Sequence, residues 1–381
     1  MDGARWLANT ATLGQLTSKV KNAPDTDLSD TLKQLSVSYP KLIESLRVAA
    51  SESEDSSNHH TDASDQRTPD PLYIQDGGAI EVICDLKGGI KELLAGNDAD
   101  HELTSPPSDQ ASQISLTALH QALRSGTVLQ LLHNNWVVSI GSAYVVKIGS
   151  DIDLDHIDNL SYINEHVPEM PTPQVAGAFR QSRWTFTFLS RAEGVTLEEA
   201  WPDLTAAQKT SVQHQLANYF QILRAKHPTS QPLRICSFQT GTCKDLRRLQ
   251  RVSPTAIYSE SEFNEFLCQS PGRTAGPWIS MVRSFLRQDH RIVMTHSDLH
   301  PRNIMVTMET YHDEKSTINV SSILDWELAG WYPEHWEFVR ALSTIDTRGP
   351  LKDWVEYLPW KAIGRYPVEY SLDCLIGRWV G

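Results

Sequence analysis

The segment His296-Ser297-Asp298-Leu299-His300-Pro301-Arg302-Asn303-Ile304-Met305-Val306, followed downstream by Ile323-Leu324-Asp325-Trp326-Glu327, constrains the fold of this chain more than any other. Arg291-Ile292-Val293-Met294 is short, apolar and β-prone, so it delivers a loop at His296. Pro301 has no N–H and biases His300 away from the helical region, which keeps the segment a loop. Residues 303–307 read as a strand, the polar stretch 309–317 as a turn, and 318–324 as the returning strand. An antiparallel hairpin sets its open ends side by side. Asn303 and Asp325, 22 positions apart, therefore meet at that open end, and the preceding loop hangs Asp298 over the same place.

This set of side chains has a chemical reading. Phosphoryl transfer from a nucleotide needs one carboxylate to receive the proton of the attacking hydroxyl, here Asp298. It also needs an amide oxygen and a second carboxylate to hold Mg²⁺ on the phosphates, here Asn303 and Asp325. Mg²⁺ prefers hard oxygen ligands and keeps several waters, so two protein ligands plus phosphate oxygens suffice. Taken singly, each residue also reads as a turn cap or a strand end; the combination favours the chemical reading. His296 and His300 flank Asp298 at a spacing that on a helix would suit zinc, but Pro301 argues against a helix. His296 reads as a scaffold of the loop. His300 and Arg302 read equally as substrate or phosphate contacts and as surface positions.

These residues resemble the aminoglycoside phosphotransferase and choline kinase branch of the protein-kinase-like fold, and within it a large fungal subgroup. The branch's catalytic loop, H-G-D-x-x-x-x-N, is matched by His296, Asp298 and Asn303, with Ser297 where the family has glycine. Its I-D-W-E segment is matched by residues 324–327, and Ala329-Gly330-Trp331-Tyr332-Pro333-Glu334-His335-Trp336-Glu337 is similar to the subgroup. The resemblance implies an α+β, bilobal fold with a five-stranded small lobe and a mainly helical large lobe. It implies ATP and Mg²⁺ as cofactors and a hydroxyl of a small molecule as acceptor. It carries to Lys147 the role of holding the α- and β-phosphates, and to the backbone at Ser190 and Ala192 the edge of the adenine. The family's acid partner for the lysine lies on the following helix, which offers Asp155, Asp158 and Glu165; alignment sets Asp158 nearest.

Organisation along the chain agrees with that order. Residues 1–112 lie outside the resemblance and form an N-terminal extension, in which 51–70 is acidic, serine-rich and almost free of apolar residues, a composition expected to stay disordered. Residues 98–113 read as a linker. Between them 80–86 and 90–94 read as a short strand and helix, and 28–48 has scattered helical periodicity. The small lobe is expected over 113–190: a helix at 116–123, strands at 127–132, 136–140 and 144–148, a helix at 157–166, and strands at 175–179 and 184–189. The turn at 133–135 would cover the phosphates, yet it holds no glycine. The large lobe is expected over 191–381, with 190–194 joining the two. Thr205-Ala206-Ala207-Gln208 reads as a capping box opening a helix buried through Val212, Leu216, Phe220 and Leu223. Trp278, Met281, Phe285 and Leu286 mark a second helix, and Trp336, Val339 and Leu342 a third.

Lys147 lies inside the apolar run 144–148, where an unpaired buried ammonium is costly. It either faces solvent on an edge strand or has the phosphate role that the resemblance implies. Trp331, Tyr332, Trp336 and Glu337 read either as core or as the lining of a pocket for a cationic amine acceptor.

A formal net charge of −13 argues against nucleic acid or an anionic membrane as partner. The five cysteines are scattered without a C-x-x-C, and the start lacks a signal-peptide pattern; a reduced, cytoplasmic location is expected. The expected activity is ATP- and Mg²⁺-dependent phosphorylation of a small-molecule hydroxyl. A catalytically silent nucleotide-binding scaffold is the alternative, supported by the glycine-free turn and opposed by the intact Asp298, Asn303 and Asp325 set. A protein kinase fits less well, because Trp326-Glu327 stands where Phe-Gly would follow the aspartate.

Overall fold

A computed structural model describes residues 27–29, 31–33, 35, 39, 79–95, 114–132, 135–150, 154–228, 232–245, 251–269, 274–310 and 316–380. The chain divides into two compact units, Met1–Thr68 and Pro69–Gly381. In the first, residues 29, 31–33, 35 and 39 are helical. The acidic tract at 51–70, the linker at 98–113, residues 133–134 of the turn and the hairpin tip at 311–315 lie outside the described residues.

In the second unit six antiparallel strands form one sheet: β1 Ile80–Cys84, β2 Thr127–Leu132, β3 Asn135–Ile140, β4 Tyr144–Ser150, β5 Val175–Gln181 and β6 Trp184–Ser190, in the order β1-β5-β6-β4-β3-β2. Five of these are the strands expected from sequence. The sixth, β1, comes from the stretch assigned to the N-terminal extension and pairs with β5 from Ile80↔Gln181 to Cys84↔Ala178. The boundary expected at 112 therefore falls inside this unit. The physical reason is apolar: helix α1 (Gly88–Leu94) buries Ile90 and Leu94 completely, against the same cluster as Leu119 and Leu123 of helix α2 (Leu116–Ser125) and Val138, Val146, Ile148, Phe179, Phe186 and Phe188 of the sheet.

Strand alternation then sets the opposite face. Val146 and Ile148 point into that cluster, so Lys147 between them points away from it. Helix α3 (Asp155–His166) contributes Ile157, Leu160 and Ile163 to a second, larger core shared with the helical part of the chain.

Past β6 the chain runs through β7 Val195–Thr196, helix α4 (Leu197–Ala200) and the long helix α5 (Ala206–Ala225). The Thr205 and Gln208 capping box is formed, and α5 buries Val212, Leu216, Phe220 and Leu223. Gly194 (φ 93°) lets the chain pass directly against Val306, where a Cβ would collide with the carbonyl oxygen. Short strands β8 Cys236–Ser237, β9 Lys244–Asp245 and β10 Arg251–Val252 follow, then helices α6 (Glu260–Cys268) and α7 (Gly276–Arg283). The expected helix around Trp278 is present, but its face is not the expected one. Val282 is its buried residue, whereas Trp278, Met281 and Phe285 are exposed.

Strands β11 Ile292–Thr295, β12 Ile304–Thr310, β13 Ser316–Ile323 and β14 Gly330–Pro333 build the two small sheets that carry the loop. β12 and β13 form the expected hairpin, with Ile304 opposite Ile323 at its open end and β7 as third strand. β11 pairs with β14, which pairs in turn with β8. Helices α8 (Trp336–Leu342), α9 (Trp360–Ile363) and α10 (Pro367–Val380) complete the unit. Among the described residues, no helix is long and apolar enough to cross a membrane. All five cysteines are free.

Candidate active site

β11 ends at Thr295 and releases the chain into the loop 296–303, whose backbone is held from three sides. The buried Glu337 of α8 accepts the N–H of His296 (2.7 Å) and, more weakly, that of Ser297 (3.5 Å). Burial pushes the Glu337 carboxyl above its usual value, against the pull of His296 and Arg224. Arg340, one turn on, donates to the Ser297 carbonyl (2.7 Å). His296 Nε2–H donates to Leu324 O (2.8 Å), while its Nδ1 accepts the Asp298 N–H (3.1 Å), which defines a neutral tautomer. Ser297 adopts φ 65°, the left-handed region. The family's glycine at this position thus answers a backbone demand, which serine meets under strain.

A short 3₁₀ turn at Pro301–Asn303 follows, capped by His300, whose Nδ1 accepts the Arg302 N–H (3.1 Å). Burial, with the charge of Arg302 added, pushes His300 down to about 4, so the ring is neutral at pH 7. His296 thus spends both ring nitrogens on backbone, and His300 its Nδ1.

The three oxygen-bearing residues come together as the hairpin requires. Leu324 N–H donates to Asn303 O (2.7 Å), closing the open end. Asn303 Nδ2 donates to the carbonyl (2.9 Å) and to Oδ2 (2.8 Å) of Asp298. Arg302 Nη2 donates to the same Oδ2 (2.8 Å). Among the described residues, both side-chain bonds of Asp298 thus fall on Oδ2, which leaves Oδ1 as its open acceptor. With its NH₂ spent on Asp298, Asn303 has its amide oxygen left for a hard cation.

Asp325 opens the next turn at φ 62° and ψ 63°. Lys147 reaches it from the central strand β4, flanked by β3 and β6, so the edge-strand reading of this lysine is excluded. Its Nζ lies 3.1 Å from Asp325 Oδ1 and 3.8 Å from Glu327 Oε2. Burial opposes both charges, but the Lys147 ammonium outweighs it and holds the Asp325 carboxyl below the usual range. Burial likewise works against Lys147, and the two carboxylates outweigh it to raise the ammonium.

Asp158 is half-buried on α3, beside Asn159, and Lys147 pairs with Asp325 and Glu327. Asp155, also offered by α3, is fully buried and pairs with Lys244 and Thr240. Ser190 ends β6 with its N–H on Gln174 O (2.9 Å), and Arg191 N–H donates to Ala143 O (2.8 Å). Ala192 follows, half-buried, with no backbone bond among the described residues. Trp331, Tyr332, Trp336 and Glu337 are all buried, the tryptophans and tyrosine in the core and Glu337 beneath the loop. The core reading holds for them.

Asn159 is the residue that sequence reasoning missed. It is fully buried on α3, and its Nδ2 meets the carbonyls of Trp326 (3.2 Å), Glu327 (3.3 Å) and Ala329 (3.0 Å). Its Oδ1 accepts the Phe238 N–H (3.1 Å). One side chain thereby fixes the turn that presents Asp325. An asparagine inside the pattern of an otherwise amphipathic helix, surrounded by Ile157, Leu160 and Ile163, was the available signal.

Residues 132–358 match the model of the phosphotransferase enzyme family, APH, and the chain belongs to that family. None of the curated proteins matches it. Solved structures similar to it include aminoglycoside phosphotransferase APH(3'')-Id from Streptomyces rimosus, at 14% identity and a TM-score of 0.44, covering 68% of this chain and 97% of that one. Aminoglycoside phosphotransferase APH(4)-Ia has 16% identity and a TM-score of 0.42, over 68% of this chain and 88% of its own. The GDP and kanamycin complex of APH(2")-IIia has 14% identity and a TM-score of 0.43, over 67% and 82%.

Proposed function

We propose that this chain transfers the γ-phosphoryl group of ATP to a hydroxyl of a small molecule, with Asp298 as the group that orients and accepts the proton of that hydroxyl. The observation that carries this reading is the convergence of Asp298, Asn303 and Asp325, with Lys147 Nζ 3.1 Å from Asp325. In this reading Oδ1 of Asp298 faces the acceptor while Arg302 and Asn303 fix the carboxylate through Oδ2. Positioning of this kind is the main protein contribution to phosphoryl transfer, which needs little covalent chemistry from the enzyme.

The donor set fits Mg²⁺. Asp325 is held ionised by Lys147, and Asn303 has only its amide oxygen left to offer. Both are hard oxygen donors, and Asn303 and Asp325 would hold the ion. When bound, the ion would supply positive charge against the negative charge that develops on the phosphates during transfer. Lys147 would bind the α- and β-phosphates, and the open backbone at Ala192, next to Ser190, would meet the adenine edge. Asp158 is proposed as a more distant acid on the lysine's helix. The acceptor is proposed to be a small alcohol, of the aminoglycoside or choline type or a secondary metabolite, and a cationic amine suits a chain of net charge −13.

The test is an unbiased one. The protein is incubated with Mg-ATP and a metabolite extract, and products are screened for the mass gain of one phosphoryl group. Asp298→Ala is expected to lower the rate by about 10²–10⁴-fold, the usual contribution of a positioned proton acceptor. Phosphate found on protein alone, or tight nucleotide binding with no transfer to any extract component, would overturn the reading.

A further inference from the structure

Behind the catalytic loop lies a second cluster of titratable side chains that the phosphotransfer reading does not use. Glu260 begins α6, His290 precedes β11 by two residues, and His335 precedes α8. All three are buried, with side-chain exposures of 2%, 2% and 7%. Glu260 Oε1 lies 2.6 Å from His290 Nδ1 and 3.5 Å from His335 Nδ1. The candidate ligand atoms of the three residues all fall within 4.8 Å of one another. A tetrahedral ion with bonds of about 2.0–2.1 Å asks for ligand atoms about 3.3 Å apart, so small side-chain movements satisfy it.

The trio is poorly explained as a hydrogen-bonded core. His335 Nδ1 is buried and has no hydrogen-bond partner, and the same is true of His290 Nε2. Leaving such nitrogens buried and unsatisfied is destabilising. Both problems have one solution. An ion held by the two Nδ1 atoms and Glu260 Oε1 would satisfy His335 directly. It would also replace the proton between Glu260 and His290, shifting the His290 proton to Nε2. Glu369 Oε1 lies 3.6 Å from that Nε2, where an outer carboxylate that orients a ligating histidine belongs. The other Glu260 oxygen is already fixed by the His290 N–H at 2.8 Å.

We propose that Glu260, His290 and His335, with one water as the fourth ligand, form a site for a divalent transition-metal ion of the zinc class. Imidazole and carboxylate together suit such an ion better than Mg²⁺ or Ca²⁺. Its place in the fold gives it a role. His290 leads through β11 into His296, and His335 leads into α8, whose Glu337 grips the His296 N–H. The ion would pin both supports of the catalytic loop to the start of α6. A site this buried takes up its ion as the chain folds, and binding releases protons.

The test uses full-length protein purified without a metal-affinity step, stripped with chelator during refolding, and then refolded with Zn²⁺ or Co²⁺ as the probe. One tightly held ion per chain is expected, with the intense visible bands of four-coordinate Co²⁺ and a rise in melting temperature. His335→Phe keeps the ring volume and removes the ligand. It is expected to fold, to weaken Zn²⁺ binding more than about 100-fold, beyond the usual effect of losing an outer partner, and to abolish the temperature shift. Glu260→Gln gives a second, independent loss. A wild-type protein that takes up no ion, Co²⁺ bands of six-coordinate type, or variants that bind Zn²⁺ as tightly as the wild type would overturn the proposal. None of these readouts depends on phosphotransfer, so failure here leaves that reading untouched, and the reverse.

Discussion

At Ser297 the backbone conformation and the residue disagree. Its φ of 65° is a conformation that costs an L residue about 1–2 kcal/mol, and its Oγ is buried without a partner. Glycine removes the strain but has about 0.5–1 kcal/mol more unfolded-state entropy to lose. Ser297→Gly is therefore expected to stabilise the protein by about 0.5–1 kcal/mol, read as a higher urea midpoint at unchanged slope. Asp353 behaves differently, because its worth depends on charge. It accepts from the buried Trp201 Nε1–H (2.8 Å) and from Lys209 Nζ (2.7 Å). Burial raises its carboxyl, yet those two bonds together outweigh it and hold the group below its usual 3.8. A lowered folded value means stability that is present above about pH 4 and lost as pH falls through the folded value. Asp353→Ala is expected to cost about 2 kcal/mol at pH 7, chiefly by orphaning the indole N–H. The gap to wild type should shrink in acid unfolding series; a gap constant down to the acid limit would refute the assignment.

Single elements, rather than residues, decide how Asp325 is presented, and this is where sequence reading stopped short. The hairpin was legible because its two strands announce themselves by alternation and its open ends must meet. Lys147 was legible because a charge sits between Val146 and Ile148, which a pleated strand sends to the other face. The partner of Lys147 was not legible. Asp158 is near in sequence to the expected position, but which carboxylate meets the ammonium depends on how far α3 stands from β4, a tertiary distance that no local pattern encodes. The exposed side chains of Trp278, Met281 and Phe285, on and just after α7, show the same limit. Helical spacing identified the helix, but the neighbour that covers it, α10, approaches from the Val282 side and leaves Phe285 in water. Asn159 binds α3 to the Asp325 turn through three carbonyls, so Asn159→Asp tests the element as a unit. The isosteric carboxylate cannot donate and meets carbonyl oxygens instead. A loss of about 3 kcal/mol in stability is expected, with a weaker nucleotide affinity, measured by unfolding and by ATP titration. Unchanged nucleotide binding in a destabilised but folded variant would confine Asn159 to packing.

For the whole Pro69–Gly381 unit, the six-stranded sheet is a partition between two cores. One face carries α1 and α2 over the phenylalanines of β5 and β6; the other carries Lys147 and α3 toward the catalytic loop. The first core contains none of the residues proposed for phosphotransfer, yet it packs the face of the sheet opposite Lys147. Sequence reading drew the lobe's edge at residue 112 because the resemblance to the family begins just beyond it, after the polar stretch 98–113. Leu86, Ile90 and Leu94 lie upstream of that stretch and are buried in the first core. At about 1.5–3 kcal/mol for each of these three side chains, their removal is worth roughly 5–9 kcal/mol, comparable with the whole stability of an ordinary domain. Two shortened chains, one starting at residue 79 and one at 113, isolate this layer, since both lack everything before it. The first is expected to unfold in one cooperative transition. The second is expected to be molten or insoluble, with β5 exposed as a bare edge and with ATP affinity lost although every residue of the catalytic loop is present. Equal urea midpoints for the two would mean that β1 and α1 lean on the sheet without supporting it, and that Lys147 owes its aim to the other strands alone.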